Sequence, residues 1–290
     1  MPNVEIKSPE TKKQQQAGKT KTAEMAFIVP GHPHLAFENT DWQELKNAYK
    51  KAGEHVKAAN PDVLVVYSAQ WMSVLGHSFQ ADPNPKGYHV DENWYELGDF
   101  PFNFKVDVDV ANAAEANAKK AGLATKLVNY EGFPIDTGTL VMMKYLNPEN
   151  KIPVVIVSSN VYAGQEDSET LGKAVAEAVQ ASGKKAVFVL INTLSNRYIT
   201  EQISPEQDCF SSKADDEWNQ KFIGWLKEGQ NKQAVQKTGE YAQGVNPEMG
   251  LKGFYWLMAA LDCPETKATV LGYGPVWGTG AAVIEYDFRD

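Results

Sequence analysis

DVLVVYS (62–68) follows Asn60-Pro61 and is an unbroken apolar run closed by a serine. A run of this kind, with no polar alternation, suits a strand covered on both faces, as in a parallel sheet. Upstream, residues 41–58 place Trp42, Leu45, Tyr49, Ala52 and Val56 on one helical stripe. Thr40 and Gln43 have the spacing of a capping box at its start, and Asn60-Pro61 stops it. Before the helix, MAFIVP (25–30) is a second buried strand closed by proline. Strand, helix and strand make a β–α–β unit, which joins two parallel strands by a crossover. That unit decides the class: an α/β fold.

The alternation continues along the chain. FKVDVDV (104–110) alternates and predicts a half-exposed strand, followed by an Ala-rich helix to about Ala121 and a strand in LATKLVN (123–129). IDTGTLVMMKYL (135–146) reads as a helix after Asp136, and PVVIVSS (153–159) as a buried strand. Leu171, Val175, Ala178 and Val179 mark a helix ending near Gly183, and KAVFVLIN (185–192) is a strand. Residues 213–261 are helical in pieces, and TVLGYG (269–274) and AAVIEYDF (281–288) close the chain as strands. With no linker and no internal repeat, the pattern predicts a single domain with a mostly parallel central sheet flanked by helices. Residues 1–24 are polar and rich in Lys and Gln, so the reading makes them a flexible tail, with the domain spanning 25–290. The stretch 72–103 reads as a long irregular loop, and such loops are usually functional.

Bulk properties narrow the partners. The chain has 290 residues, 43% of them hydrophobic, and a formal net charge of −9. Nucleic-acid backbones and anionic membranes require clustered Lys and Arg, so neither is an expected partner. No run reaches the length of a membrane span. The two cysteines, Cys209 and Cys263, form no CxxC pair and read as free thiols of a cytoplasmic protein.

Histidine is scarce: His32, His34, His55, His77 and His89. His55 reads as a solvated residue on the first helix. The other four follow strands or lie in the 72–103 stretch, where ligands bind in parallel sheets. With Asp91 or Glu92 they offer the two-His, one-carboxylate set that suits non-haem Fe(II). On residue type alone, capping backbone carbonyls or lining a pocket stands open beside it. LGYGPVWGTGAAV (271–283) is not a dinucleotide fingerprint, because it lies between two strands rather than opening a helix. NTLSNRY (192–198) lacks the GxSxG of a serine hydrolase.

Several runs together carry a resemblance: VPGHPHL (29–35), PDVLVVYSAQW (61–71), GFPIDTGT (132–139), NTLS (192–195) and LGYGPVWGTGAAVIE (271–285). From about residue 25 onward the chain resembles the class III (LigB-type) extradiol ring-cleavage dioxygenases. It is most similar to the 2-aminophenol 1,6-dioxygenase branch, whose enzymes pair related α and β subunits. YHVDENWYELGD (88–99) and VNYEGFPIDTGT (128–139) point to the α type. In active members Fe(II) is held by two histidines and a glutamate, and another histidine is the acid–base catalyst. The resemblance puts Gly31 at the first histidine position, Gln70 at the second, Thr269 at the glutamate and Asn196 at the acid–base histidine. Glycine, glutamine, threonine and asparagine supply neither an open ferrous site nor a general base.

The resemblance therefore implies a noncatalytic α-type subunit with no catalytic residue and no metal or cofactor of its own. A homologous β-type partner would carry the iron, in an α2β2-like assembly. The vestigial pocket is expected to include His32, His34, Trp71, His77 and Tyr273. One alternative is an active Fe(II) dioxygenase with displaced ligands drawn from His32, His34, His77 and Glu92. Another is a homo-oligomer that binds a small aromatic ligand among Trp71, His77, Trp94, Tyr95 and Tyr273.

Overall fold

Strand β1 (Ala23–Val29) leads through helix α1 (Gln43–Ala59) to strand β2 (Val63–Ser73) in a computed structural model that describes residues 23–38, 40–197 and 208–289. The expected β–α–β unit is there, with a third strand between its two. β8 (Ala186–Ile191) pairs in parallel with both β1 and β2. The strand β7 (Val154–Asn160) pairs in parallel with β2 on the other side. β3 (His77–Gln80) runs antiparallel to β7, and β6 (Thr125–Val128) runs parallel to β3. The hairpin β9 (Thr269–Val276) and β10 (Thr279–Asp287) closes the other side, with β10 antiparallel to β1. The eight-stranded order is β6-β3-β7-β2-β8-β1-β10-β9.

Alternate residues of the apolar strands feed two cores. Met25, Phe27, Val29, Leu64, Val66, Val187 and Val189 face α1 and α3 (Thr137–Leu146). Ala26, Ile28, Val63, Val65, Phe188 and Leu190 face the opposite layer. That layer is built from α2 (Val108–Lys120), α4 (Gln165–Ser182), α5 (Lys213–Lys227), α6 (Asn231–Val245) and α7 (Lys252–Ala260). Burial on both faces explains why these strands carry continuous apolar runs. Helices α4 and α7 touch so closely that a Cβ on Gly172 would lie 2.3 Å from the Trp256 carbonyl oxygen, so only glycine fits there.

Some elements differ from the sequence reading. FKVDVDV is not a strand. Val106 makes one isolated bridge to Val154, and Asp107 then caps α2 by accepting from the Val110 N–H. The cap and the Val110, Ala111, Ala114, Ala118 stripe outweigh the local alternation. The Thr40–Gln43 capping box does not form either. Trp42 is the N-cap, in a left-handed conformation, and the Thr40 hydroxyl donates to the carbonyls of His34 and Phe37 instead.

The stretch 72–103 is largely ordered. It holds the end of β2, all of β3, and a separate antiparallel hairpin, β4 (Lys86–Val90) and β5 (Asp99–Asn103). His55 is not a free surface residue, because its Nδ1 meets the Glu285 carboxylate. Residues 1–22, the bulk of the expected tail, lie outside the described residues, and the sheet begins at Ala23. No described helix is long and apolar enough to cross a membrane.

Candidate functional site

A cavity of about 790 Å³ opens where β1, β2 and β8 end. This is the carboxyl edge of the parallel strands, where ligands bind in open α/β sheets. After β1, Pro30-Gly31-His32 turns into the 3-10 segment Pro33–Ala36. In β2 the pairing with β7 slips between Ser68 and Met72, so Ala69, Gln70 and Trp71 bulge toward the cavity. Thr193 and Asn196 follow β8 into the wall. Asp136 caps α3, accepting from the Thr139 N–H and from the Ser68 and Thr139 hydroxyls.

The β4–β5 hairpin covers the cavity with His89, Asp91, Glu92 and Trp94. It is tied to α3 by a relay. His89 Nε2 lies 2.7 Å from the Thr137 Oγ1, and the Thr137 hydroxyl donates to Asp91 Oδ2 at 2.7 Å. Opposite stands Glu248, presented by a turn in which Met249, Gly250 and Leu251 all have positive φ. Two of these are not glycine, so the backbone is strained beside the cavity. Glu248 accepts from the Thr193 N–H at 2.8 Å and from Gln70 Nε2 at 3.3 Å. Burial raises its carboxyl above the ordinary value, opposed by those hydrogen bonds and reinforced by the negative charge of Asp136.

His32 and His34 form a hydrogen-bonded pair with their rings tilted to one another. Their Nδ1 atoms are 3.1 Å apart, and the Trp277 indole donates to His34 Nε2 at 2.8 Å. Trp42 and Trp94 pack edge-on against the His34 ring. Burial and the neighbouring His34 hold His32 well below the usual imidazole range. Burial holds His34 at about 4, despite Glu96, Asp208 and Asp91. Both rings are therefore neutral near pH 7.

The expected positions separate into those the fold gathers and those it does not. Gly31, Gln70 and Asn196 meet at the strand ends, and His32 and Trp71 line the cavity. His34 lies behind His32 and does not line it. His77 is buried in β3, and Tyr273 on β9 stacks on Phe210 and donates to Asp216; neither lines the cavity. Tyr95 is exposed outside it.

Thr269 is misplaced by the sequence reading. It is exposed on β9 opposite Glu285, which itself pairs with Phe27 within β1 rather than at its end. The carboxylate beside Gln70 is Glu248. Its signal in the sequence is Asn246-Pro247, a break inside an otherwise helical stretch.

The two-histidine, one-carboxylate ferrous set does not fit these residues. Gly31 has no side chain, and Gln70 spends its amide on Glu248, the carboxylate beside it. A Cβ on Gly31 would lie 2.7 Å from Gln70 Nε2 and 2.7 Å from Gly138 Cα, so the space is already filled. The displaced set fails as well, because His77 is not at the cavity. Among the described residues, no group of three or more His, Cys, Asp or Glu side chains could hold a metal ion.

Residues 25–284 match the family described as the catalytic LigB subunit of aromatic ring-opening dioxygenase. The chain belongs to the LigB family. This LigB chain is 35% identical over 264 residues to the 2-aminophenol 1,6-dioxygenase alpha subunit of a Pseudomonas species, covering 90% of this chain and 97% of that one. It is 32% identical over 282 residues to a Pseudomonas 2-aminophenol 1,6-dioxygenase beta subunit, covering 90% and 92%. Its fold matches the crystal structure of an uncharacterized protein, JW3007, of Escherichia coli K12. That match has a TM-score of 0.65 and 14% identity, over 91% of this chain and 99% of the other.

Proposed function

We propose that this LigB chain is a noncatalytic, α-type subunit of an extradiol ring-cleavage dioxygenase. A homologous β-type partner carries the Fe(II) and the chemistry, in an α2β2-like assembly. One observation carries the reading: Gln70 fills the space beside Gly31 and bonds Glu248. The family's two histidine positions thus hold a glycine and an amide, packed into one another. Asn196, at the position of the acid–base histidine, cannot take up a proton near neutral pH.

Similarity to both subunits of a two-subunit enzyme supports a related partner, since duplicated chains keep a shared fold and assembly surface while one loses chemistry. The substrate of the assembly on this reading is 2-aminophenol or a similar ring with adjacent heteroatoms.

Co-expression with a β-type homologue, followed by metal analysis of each separated subunit and a ring-cleavage assay, tests the proposal. Iron should track the β-type chain, and turnover should require it. Stoichiometric ferrous iron with turnover in this chain alone would overturn the reading.

A further inference from the structure

Two neighbouring turns leave a group of large apolar side chains in water. Leu75 is 93% exposed, Tyr162 78% and Met72 64%, and Val74 and Val161 stand exposed beside them. Residues 72–75 lie at the end of β2 and residues 161–162 just past β7. The two strands end side by side, with Met72 opposite Ser159 and Ser73 opposite Asn160, and the Val161 N–H donates to the Ser73 carbonyl at 2.9 Å. Single exposed apolar residues are ordinary, but these five are contiguous. Together they offer on the order of 500 Å² of apolar surface, which is high for a monomer and enough for the apolar centre of a standard-size interface.

The turn after β2 is held in place. The Ser73 hydroxyl donates to the Gly76 carbonyl at 2.6 Å, and Asn160 Nδ2 donates to the same oxygen at 2.8 Å. Leu75 is thereby presented on a fixed backbone, and an anchor ordered in advance costs less to dock. The surroundings are acidic. Glu166 and Asp167 are exposed in the first turn of α4, just after Tyr162, and Met72 also lines the cavity that holds Asp91, Glu92, Asp136 and Glu248. Lys252 offsets part of this charge, its ammonium donating to the carbonyls of Asn160 and Val161. A second copy in a two-fold contact would set this acidic surface against itself, in a chain whose net charge is already −9. The charge calls for a different chain, with an apolar centre ringed by Lys or Arg.

We propose that this patch is the surface on which the β-type partner seats. Leu75 and Tyr162 are the anchors, and Glu166 and Asp167 meet a basic rim on the partner. The inference rests on the partner reading given above and adds to it the surface through which the two chains join. Because Met72 belongs to both the patch and the cavity wall, the seated partner adjoins the cavity mouth.

Co-expression of the full chain with a β-type homologue, followed by sedimentation velocity on the complex and on each chain alone, tests it. Leu75→Asp and Tyr162→Asp should each weaken the complex about tenfold or more, as loss of an interface anchor does. Both side chains are exposed, so the isolated variants should melt with the parent. Glu166→Lys should also weaken the complex, most of all at low salt. In the parent complex, amide exchange should slow at residues 73–76 and 161–165. Parent-like affinity in both Leu75→Asp and Tyr162→Asp would overturn the inference and leave the partner reading standing. So would a dimer of the isolated chain that Leu75→Asp dissociates, because a second copy would then be the occupant. A parent chain that binds no β-type homologue would overturn the partner reading and this inference with it.

Discussion

The side-chain amide of Gln70 stands where any side chain at position 31 would have to grow, 2.7 Å from the place of a Cβ on Gly31. The Cα of Gly138, at the start of α3, lies equally close, and it is backbone that cannot swing aside. Gly31→His is therefore expected to cost roughly 1–3 kcal/mol through overpacking. Gly31→His combined with Gln70→His removes the amide but not the contact with Gly138. Neither variant should acquire stoichiometric iron. Denaturant unfolding and metal analysis of the purified proteins check both statements.

The neutral His32–His34 pair makes stability depend on acid. Both imidazoles titrate lower in the folded chain than in the unfolded one, where the ordinary value is 6.5. The unfolded state binds protons first as pH falls, so the pair's contribution is complete above about 6.5 and drains away toward the His34 value of about 4. Thermal unfolding followed from pH 7 to pH 4 should show this decline, and it should be shallower in His34→Gln.

Glu248 has the opposite sign. Its carboxyl titrates above 4.5 in the fold, so the folded state holds the proton more tightly. Its contribution is complete below the unfolded value and is lost as pH rises through the folded one. Glu248→Gln keeps an acceptor for the Thr193 N–H and removes the charge. The variant should melt higher than the parent near neutral pH and match it near pH 4. An equal melting temperature at both pH values would contradict this.

The His89–Thr137–Asp91 relay joins the β4–β5 hairpin to α3. Thr137→Val keeps the shape and deletes both bonds. It leaves Asp91 and His89 without their shared partner, at a cost of about 1–3 kcal/mol. Amide hydrogen exchange should accelerate across residues 86–103, with little change in the central sheet.

The fold could be read from its strands because both faces of the sheet are covered, which leaves runs such as VLVVY and AVFVLI without interruption. The C-terminal ends of α1 and α4 were also legible, from Asn60-Pro61 and from Gly183, whose left-handed φ ends α4. The β4–β5 hairpin was not, because its strands are half exposed, carry Pro101 and face a loop-covered cavity rather than a core. FKVDVDV misled because period-two alternation over so short a span cannot be told from the lead-in to a capped helix.

At the site, Gly31, Gln70 and Asn196 could be placed because each lies directly beside a recognisable strand end. Glu248 could not, since its position depends on a left-handed turn between two helices, α6 and α7. Thr269 starts β9, at the end of the strand away from its turn into β10. That hairpin runs back down the sheet and carries Thr269 away from the cavity.

The Trp277 contact sets the direction of a proton chain. An indole N–H can only give a hydrogen bond, so His34 Nε2 must accept it. A neutral His34 then carries its proton on Nδ1 and gives it toward His32 Nδ1, 3.1 Å away. His32 in turn is left with its proton on Nε2. One ring nitrogen is engaged and the other is protonated, so the imidazole nearest Gly31 has no lone pair to offer an electrophile. Tryptophan at the hairpin of β9 and β10 thereby dictates, through two rings, the tautomer of His32.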